Sequence, residues 1–223
     1  MDRNLNMKAK IFSRFNQKEI ANLLKQGKVG IIKTDTIYGI LGSALNKETV
    51  KRIYRLKKRT KKKSAIVLIS SLSQLKLFGI KTSLKEKKLF SLLWPSKISI
   101  SLYCPSQKFS YLHQGKKRFA FRLIKEKKLK NLIDKTGPLI APSANLQDQK
   151  PAQDIKEAKK YFKNKVDFYV KDKRVKNPIP STLIEIKGKS IIVHRKGLDF
   201  SKLKKIKGYK ILWPKKEEKE KGN

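Results

Sequence analysis

The chain has 223 residues and a formal net charge of +40, from 57 lysines and arginines against 17 aspartates and glutamates. A hydrophobic fraction of 39% is enough for a real core, and the length fits one large domain. One cysteine excludes an intrachain disulfide, and with only two histidines as well we expect no protein-held metal site.

Helices and strands alternate in the first part of the chain, and strands cluster in the last part. Helices are predicted over residues 17–26, 48–58, 71–78, 83–93, 127–135 and 154–162. Strands are predicted over residues 29–32, 65–69, 98–102, 119–123, 139–141, 166–170, 182–186 and 191–194. This order predicts an α/β fold, with a twisted sheet of mixed parallel and antiparallel strands flanked by helices.

We expect neither a signal peptide nor a membrane-spanning segment. The N-terminal MDRNLNMKAK lacks the apolar core of a signal peptide, and no apolar run is long enough to span a bilayer. We therefore expect a cytoplasmic protein that does not contact a membrane. We also predict a single domain over residues 1–213 and a charged, disordered tail over residues 214–223.

Three explanations of the positive charge stay open. The first is nucleic-acid binding, the second is an anionic small substrate, and the third is the lysine-rich composition of an AT-rich genome. The basic residues are mostly lysine and are spread along the whole length, which is the pattern that an AT-rich genome would produce, so the third explanation is weighed as heavily as the other two together. Under all three, the electric field attracts anions such as nucleotides or RNA.

The most informative segment is VGIIKTDTIYGILG, residues 29–42. A buried strand is followed there by Thr34, Asp35 and Thr36, and then by Gly39 and Gly42. Open α/β sheets bind ligands at the ends of strands, where hydroxyls and backbone amides are available. The alternative is an ordinary turn, because Thr and Asp favour turns in any case.

Further clusters place cations and hydroxyls at the ends of other elements. They are Lys57 and Arg59 after a helix, Arg122 inside the apolar strand FAFRL, Ser143 and Asn145 in PSAN, Ser181 in PSTL, and Arg195 in HRKG. Each has an unremarkable alternative, such as a solvated helix end, an outward-facing arginine or a polar loop. For Arg122 we weigh a bound anion and an outward orientation equally, because strand period alone does not tell which face is wet.

The chemistry of these clusters narrows the class of reaction. There is no Ser–His–carboxylate order, no G-x-x-x-x-G-K-[ST] phosphate loop and no pair of glutamates that suggests acid–base catalysis. The predicted site is rich in cations and hydroxyls and nearly free of carboxylates. Such a site stabilises negative charge and positions reactants, which suits phosphoryl or nucleotidyl transfer.

In order, the segments KTDTIYG, LKKR, FRL, PSAN, STL and HRKG resemble the threonylcarbamoyl-AMP synthase family, the YrdC/Sua5 proteins. The resemblance runs from about residue 27 to residue 197. It implies a twisted mixed sheet around a basic cavity, and the synthesis of threonylcarbamoyl-AMP and pyrophosphate from L-threonine, bicarbonate and ATP. The product would serve the N6-threonylcarbamoyl modification of adenosine 37 in tRNA, with tRNA or the transfer machinery as partner and Mg²⁺ arriving with ATP.

The resemblance also assigns a role to each site residue by its position in the motifs. Lys57 and Arg59 would be catalytic, and Thr36, Arg122 and Ser181 would bind threonine. The expected ATP contacts are Arg59, Ser143, Asn145 and Arg195. No residue is expected to hold a metal by itself.

The chain departs from the family pattern at several loops. Lys33 and Thr60 stand where the family usually has Pro. The family's Pro-Gly-Pro-x-Thr stretch becomes PSKIS at residues 95–99, which keeps a hydroxyl at Ser99 but loses the glycine. Gln147-Asp148 replaces the usual Ser-Gly. These changes affect loop geometry more than chemistry.

Two other functions remain open on the sequence. A non-catalytic RNA-binding module of the same fold is favoured by the charge of +40. The scattered lysines and the lack of an RNA-binding aromatic motif weaken it. An enzyme that makes a carbamoyl-adenylate for another acceptor is the third possibility, but such proteins usually carry additional domains.

Overall fold

Strands from the whole length of the chain pair into one mixed sheet. The protein is described by a computed structural model over residues 8–58 and 65–214. Within these residues the strands are β1 (Lys10–Phe12), β2 (Gly30–Lys33), β3 (Tyr38–Ser43), β4 (Ile66–Ile69), β5 (Ile98–Tyr103), β6 (Arg118–Leu123), β7 (Leu139–Ile140), β8 (Phe168–Val170), β9 (Thr182–Lys187), β10 (Ser190–Arg195) and β11 (Lys210–Leu212).

The order of strands across the sheet is β1-β8-β2-β3-β7-β4-β6-β5-β9-β10-β11. Parallel pairing joins β1 to β8, β8 to β2, β4 to β6, β5 to β9 and β10 to β11. The remaining neighbours are antiparallel. This confirms the predicted α/β fold with a mixed sheet, and it brings β6, β5, β9 and β10 side by side although they come from two distant parts of the chain.

The described residues form six α-helices, and side chains cap the N-terminal ends of all but the one that follows Phe109. They are α1 (Gln17–Lys25), α2 (Lys47–Leu56), α3 (Leu84–Leu93), α4 (Ser110–His113), α5 (Lys127–Thr136) and α6 (Ile155–Phe162). The side chains of Asn16, Asn46, Ser83, Glu126 and Asp154 each accept a hydrogen bond from the third backbone amide of the helix that follows. These caps satisfy donors that the first helical turn leaves unpaired.

Alternate residues of the strands supply two hydrophobic cores, one on each face of the sheet. In β4, Val67 and Ile69 belong to the larger core, while Leu68 between them belongs to the smaller one. The smaller core contains the apolar faces of α1 and α5, and the larger contains those of α2, α3 and α6. Helices therefore cover both faces, as the buried apolar strands require.

The structure corrects the sequence prediction in several elements, and it adds α4 and the 3₁₀-helices Gln107–Phe109 and Phe200–Lys205, which were not predicted. The predicted helix over residues 71–78 is a 3₁₀-helix, Leu72–Phe78. Three strands were not predicted, namely β1, β3 and β11. Strand β3 contains glycines, which are unfavourable in strands, so the sequence pattern did not indicate it. Gly42 is required there because a Cβ on this residue would lie 2.4 Å from Thr49 Cγ2 of α2. The other two are three-residue edge strands, and their pairing with β8 and β10 defines them.

Residues 215–223 lie outside the described part of the chain, so the disordered tail and the domain boundary at residue 213 stay predictions. Within residues 8–58 and 65–214, no helix combines the length and the hydrophobicity that are needed to cross a bilayer.

Candidate functional site

A cavity of about 560 Å³, here called the main cavity, lies where distant segments of the sheet meet. Residues of β4, β5, β6, β9 and β10 line it, together with the loops that follow β2 and β7. Every predicted site residue in the described part of the chain lines this cavity: Thr36, Lys57, Arg122, Ser143, Asn145, Ser181 and Arg195. Arg59 lies outside the described residues, so its position and both of its roles stay predictions.

Strand β6 presents its small and basic residues to the main cavity. Arg118, Ala120 and Arg122 alternate on the cavity side, while Phe119 and Phe121 between them are buried in the larger core. This alternation is the period of two that a strand imposes. The outward orientation that the sequence left open for Arg122 is excluded, because the residue is only 4% exposed.

Arg122 pairs with a carboxylate of the protein itself. Its Nη2 donates to Asp35 Oδ1 at 2.7 Å, and the Asp35 side chain is 9% exposed. The sequence analysis weighed a bound anion against an outward orientation and did not predict this partner, while the threonine contact that the resemblance implies stays a prediction. Nε of Arg122 is buried and has no hydrogen-bond partner among the described residues. A guanidinium has five N–H donors, so the ion pair leaves capacity for a second anion.

The turn between β2 and β3 is held by its own hydroxyls. Thr34 Oγ1 donates to the backbone oxygen of Ile37 at 2.7 Å and accepts a hydrogen bond from the Thr36 amide at 3.3 Å. The Oγ1 atoms of Thr34 and Thr36 lie 3.1 Å apart. The turn explanation and the ligand explanation from the sequence are therefore compatible, because Thr34 closes the turn and Thr36 lines the main cavity.

Lys57 organises the loop that follows β7. Its ammonium group donates to the backbone oxygen of Ser143, to the backbone oxygen of Asn145 at 2.7 Å and to Asn145 Oδ1 at 3.0 Å. Ser143 Oγ also donates to Asn145 Oδ1, at 2.6 Å. Lys57 is 3% exposed. This geometry favours a positioning role for Lys57, while its catalytic role stays a prediction.

Ser181 and Arg195 form the wall of the main cavity at β9 and β10. Arg195 donates from Nε and Nη2 to the backbone oxygen of Ser181, at 3.1 and 3.0 Å. Ser181 Oγ lies 2.8 Å from Ser99 Oγ, and both residues are buried. Ser99, which keeps its hydroxyl in the altered stretch 95–99, therefore contacts a predicted site residue directly.

Gly197 permits this wall to form. A Cβ on this residue would lie 2.2 Å from the backbone oxygen of Pro180 and 2.7 Å from the backbone of Ser181. Its amide donates to Thr182 Oγ1 at 3.1 Å. The chain can therefore pass close enough to residues 180–182 to hold Arg195 only because residue 197 has no side chain.

The sequence analysis missed a charged cluster on the β5–β6–β9–β10 side of the main cavity. Glu185 is 7% exposed; its Oε1 lies 3.4 Å from Arg118 Nε and its Oε2 lies 3.1 Å from His194 Nε2. Arg118 Nη2 donates to the backbone oxygen of Ser101 at 3.1 Å. The sequence signal that could have indicated this cluster was the glutamate in the otherwise apolar strand TLIEI.

These carboxylates correct the expectation that the site is nearly free of them. Glu185 and Asp148 line the main cavity, and Asp35 neutralises Arg122 from its edge. A buried cation is costly without a partner, which is the physical reason for these acids. They could not be found from spacing, because Asp35 and Glu185 meet their partners across the sheet.

Comparisons with known proteins agree with this geometry. A family model named Sua5/yciO/yrdC and described as "Telomere recombination" matches residues 22–197. A threonylcarbamoyl-AMP synthase of Pseudoalteromonas translucida is 28% identical over 164 residues, which cover 72% of this chain and 87% of the relative.

Solved structures show the same fold. Pyrococcus abyssi Sua5, a structure in complex with L-threonine, superposes with a TM-score of 0.80 at 23% identity. The match covers 92% of this chain but 62% of that protein, which is the longer of the two. Escherichia coli YciO superposes with a TM-score of 0.73 at 18% identity, covering 85% of this chain and 96% of YciO.

The buried Arg122–Asp35 pair generates a first prediction. The substitution Asp35→Asn keeps the shape of the side chain but leaves Arg122 buried without its counter-charge. We expect a loss of about 3–5 kcal/mol in the free energy of unfolding, measured by urea denaturation. Asp134→Asn is the matched control, because it removes the exposed 2.9 Å pair of Asp134 with Lys130 and should cost about 0.3–0.5 kcal/mol. Equal losses in the two variants would contradict this account of Arg122.

Lys57 generates a second prediction. Lys57→Met removes the donor shared by three oxygen atoms, and we expect a loss of about 1–3 kcal/mol in unfolding free energy. The exposed neighbour Lys58→Met should change it by less than about 0.5 kcal/mol. Hydrogen exchange should also accelerate at the amides of residues 144 and 147 in the Lys57 variant. Unchanged protection of these amides would mean that Lys57 does not hold the loop.

Proposed function

This chain belongs to the Sua5/YciO/YrdC family, and on that premise we propose that it is an L-threonylcarbamoyladenylate synthase. It would form threonylcarbamoyl-AMP and pyrophosphate from L-threonine, bicarbonate and ATP. Relatives that carry this name are aligned over most of the chain. The observation that carries the proposal is that seven predicted site residues from six separate segments line one cavity.

Threonine would occupy the part of the main cavity between Arg122 and Ser181. Its carboxylate matches the guanidinium of Arg122, which is fixed by Asp35 and retains a donor without a partner among the described residues. The Thr36 and Ser181 hydroxyls can donate to or accept from the substrate's polar groups. Burial strengthens each of these contacts by excluding water.

The nucleotide would occupy the region bounded by Ser143, Asn145 and Arg195. Ser143 and Asn145 offer neutral hydrogen-bonding groups on a loop that Lys57 holds. The Arg195 guanidinium is oriented by the Ser181 carbonyl and suits a phosphate. Arg59 would add a second cation, as the motif implies. The shared position of Ser181 and Arg195 would place the amino acid beside the phosphates.

The reaction would then proceed by positioning and charge stabilisation. The amine of threonine adds to carbon dioxide derived from bicarbonate, which releases a proton and gives an N-carboxylate. This carboxylate attacks the α-phosphorus of ATP, a C–O–P link forms, and pyrophosphate leaves with the electron pair of the broken P–O bond. The concave cavity would limit the access of water to the unstable carbamate.

Magnesium would enter as a complex with ATP. Mg²⁺ prefers phosphate oxygens and water, with one or two carboxylates at most. The phosphates and water molecules would therefore supply its ligands, and the ion would neutralise phosphate charge.

The same proposal includes the cellular setting. We propose that the enzyme acts in the cytoplasm and delivers its product to the machinery that modifies adenosine 37 of tRNA. The positive charge of the chain would favour contact with tRNA, although composition alone also explains it.

The third prediction tests the reaction. Purified protein is incubated with ATP, bicarbonate, L-threonine and Mg²⁺, and pyrophosphate is measured with each component omitted in turn. We expect release only when all are present. Release without threonine would indicate another carbamoyl-adenylate enzyme, and salt-sensitive RNA binding without any release would favour the RNA-binding module.

The fourth prediction concerns Arg195. A charge-assisted contact contributes roughly 1.5–3 kcal/mol, so Arg195→Ala should lower kcat/KM for ATP at least about tenfold. The exposed Arg14→Ala removes the same charge elsewhere and should leave the rate unchanged. Both variants are checked by circular dichroism. A normal rate for folded Arg195→Ala would rule out its contact with ATP.

A further inference from the structure

A second cavity, of about 670 Å³, lies on the other side of the turn between β2 and β3. Thr34 and Thr36 line both cavities. The buried ion pair stands between them, because Arg122 lines the main cavity and Asp35 lines the second one. The second cavity is therefore adjacent to the proposed reaction site, and the proposed function assigns no ligand to it.

Basic residues outnumber acidic ones in the wall of the second cavity. The basic residues are Lys33, Lys97, Lys125, Lys128, Arg174 and Lys202, and the acidic residues are Asp35, Glu126, Asp172 and Asp199. They come from the turn after β2, residues 95–97, the N-terminal end of α5, the segment after β8 and the 3₁₀-helix Phe200–Lys205. Five segments thus contribute charge to one concave surface.

All four acids are engaged within the protein. Asp35 accepts from Arg122, and Glu126 accepts from the amide of Leu129 at 3.2 Å. Asp199 accepts from the amide of Lys97 at 2.9 Å. Asp172 is shared by two lysines of the wall, as described next. Glu126 and Asp199 accept from neutral amides and so keep their negative charge, and six cations against four carboxylates leave the wall with a surplus of positive charge.

The cations divide into two groups. Lys33 and Lys128 share Asp172, at 3.9 and 3.5 Å, and Arg174 pairs with Asp154 at 2.6 Å and Glu157 at 2.8 Å. Within residues 8–58 and 65–214, the side chains of Lys97, Lys125 and Lys202 form no ion pair. Three ammonium groups on three different segments thus line the same cavity with no carboxylate of the described residues within ion-pair distance.

The surrounding structure gives this wall a fixed shape. Tyr38 donates from its hydroxyl to the backbone oxygen of Asp172 at 2.8 Å, which ties β3 to the segment after β8. Burial raises the pKa of Tyr38 to about 12, so the hydroxyl remains a donor at physiological pH. Lys128 lies over the ring of Phe15, 4.4 Å from its centroid. The N-terminal end of α5 adds the positive end of a helix dipole.

We propose that the second cavity binds a compact, multivalent phosphate-type anion such as pyrophosphate, through Lys97, Lys125 and Lys202. Lysines bind phosphates as point charges, and three of them match an anion that carries several negative charges on a small volume. The cavity is bounded by five segments of the chain, which favours a small anion over a long polyanion. The site does not depend on the proposed reaction, although pyrophosphate is the anion which that reaction would release.

The fifth prediction uses a triple variant, Lys97→Gln with Lys125→Gln and Lys202→Gln. Inorganic pyrophosphate is titrated calorimetrically into protein whose main cavity is saturated with α,β-methylene ATP, at fixed ionic strength. We expect the wild type to bind pyrophosphate and the triple variant to bind it at least tenfold more weakly. The matched control is Lys85→Gln with Lys88→Gln and Lys207→Gln, three lysines that line a different and shallower groove.

Each result has a defined meaning. Wild-type affinity in the control and loss in the triple variant support the proposal. Equal affinity in all three proteins, or equal loss in both variants, overturns it, because bulk charge would then explain the binding. An RNA hairpin is titrated in parallel; if only RNA affinity falls in the triple variant, the assignment to a small anion is wrong. If the ATP analogue does not bind, the proposed function fails, while the same comparison in analogue-free protein still tests the second cavity.

Discussion

The hydrogen bonds of the Lys57 ammonium group are the interaction on which the site depends. Lys57 follows α2 directly, and its three oxygen partners belong to Ser143 and Asn145, in the loop after β7. Two motifs that are 86 residues apart are thereby joined at a buried point. Backbone hydrogen bonds extend the same junction, since the Gln147 amide donates to the Lys57 carbonyl and the Ala144 amide to the Tyr38 carbonyl. The cavity exists because these segments are fixed relative to one another.

A chain of charge +40 still folds its site around carboxylates. Arg122 is held by Asp35, and Arg118 by Glu185. A cation inside a wall of low dielectric constant needs a partner, whatever the surplus of charge outside. The net charge therefore describes the surface and the long-range field, while the geometry of the site is set by a few paired groups.

The sequence predicted the fold class and most elements because apolar periodicity and capping residues are local signals. It also predicted seven of the residues that line the main cavity, since the motif order of a family carries that information. It did not predict β3, because glycines are unfavourable in strands. It also did not predict the partners of Arg122 and Arg118. Asp35 is 87 residues from Arg122, and Glu185 lies two strands from Arg118 across the sheet. Such pairs are fixed by strand order, which depends on packing of the whole chain.

Pairing Arg122 with Asp35 has two opposite effects on an incoming anion. It reduces the local charge, which weakens the Coulomb attraction. It also fixes the guanidinium in one orientation before the anion arrives, so that little side-chain entropy is lost on binding. In a strongly basic protein, many other residues attract the anion over long distances. The role left to the arginine in the site is to orient the anion once it has arrived. The same reasoning applies to Arg195, which the Ser181 carbonyl orients, and explains why a highly charged chain places its cavity arginines against fixed acceptors.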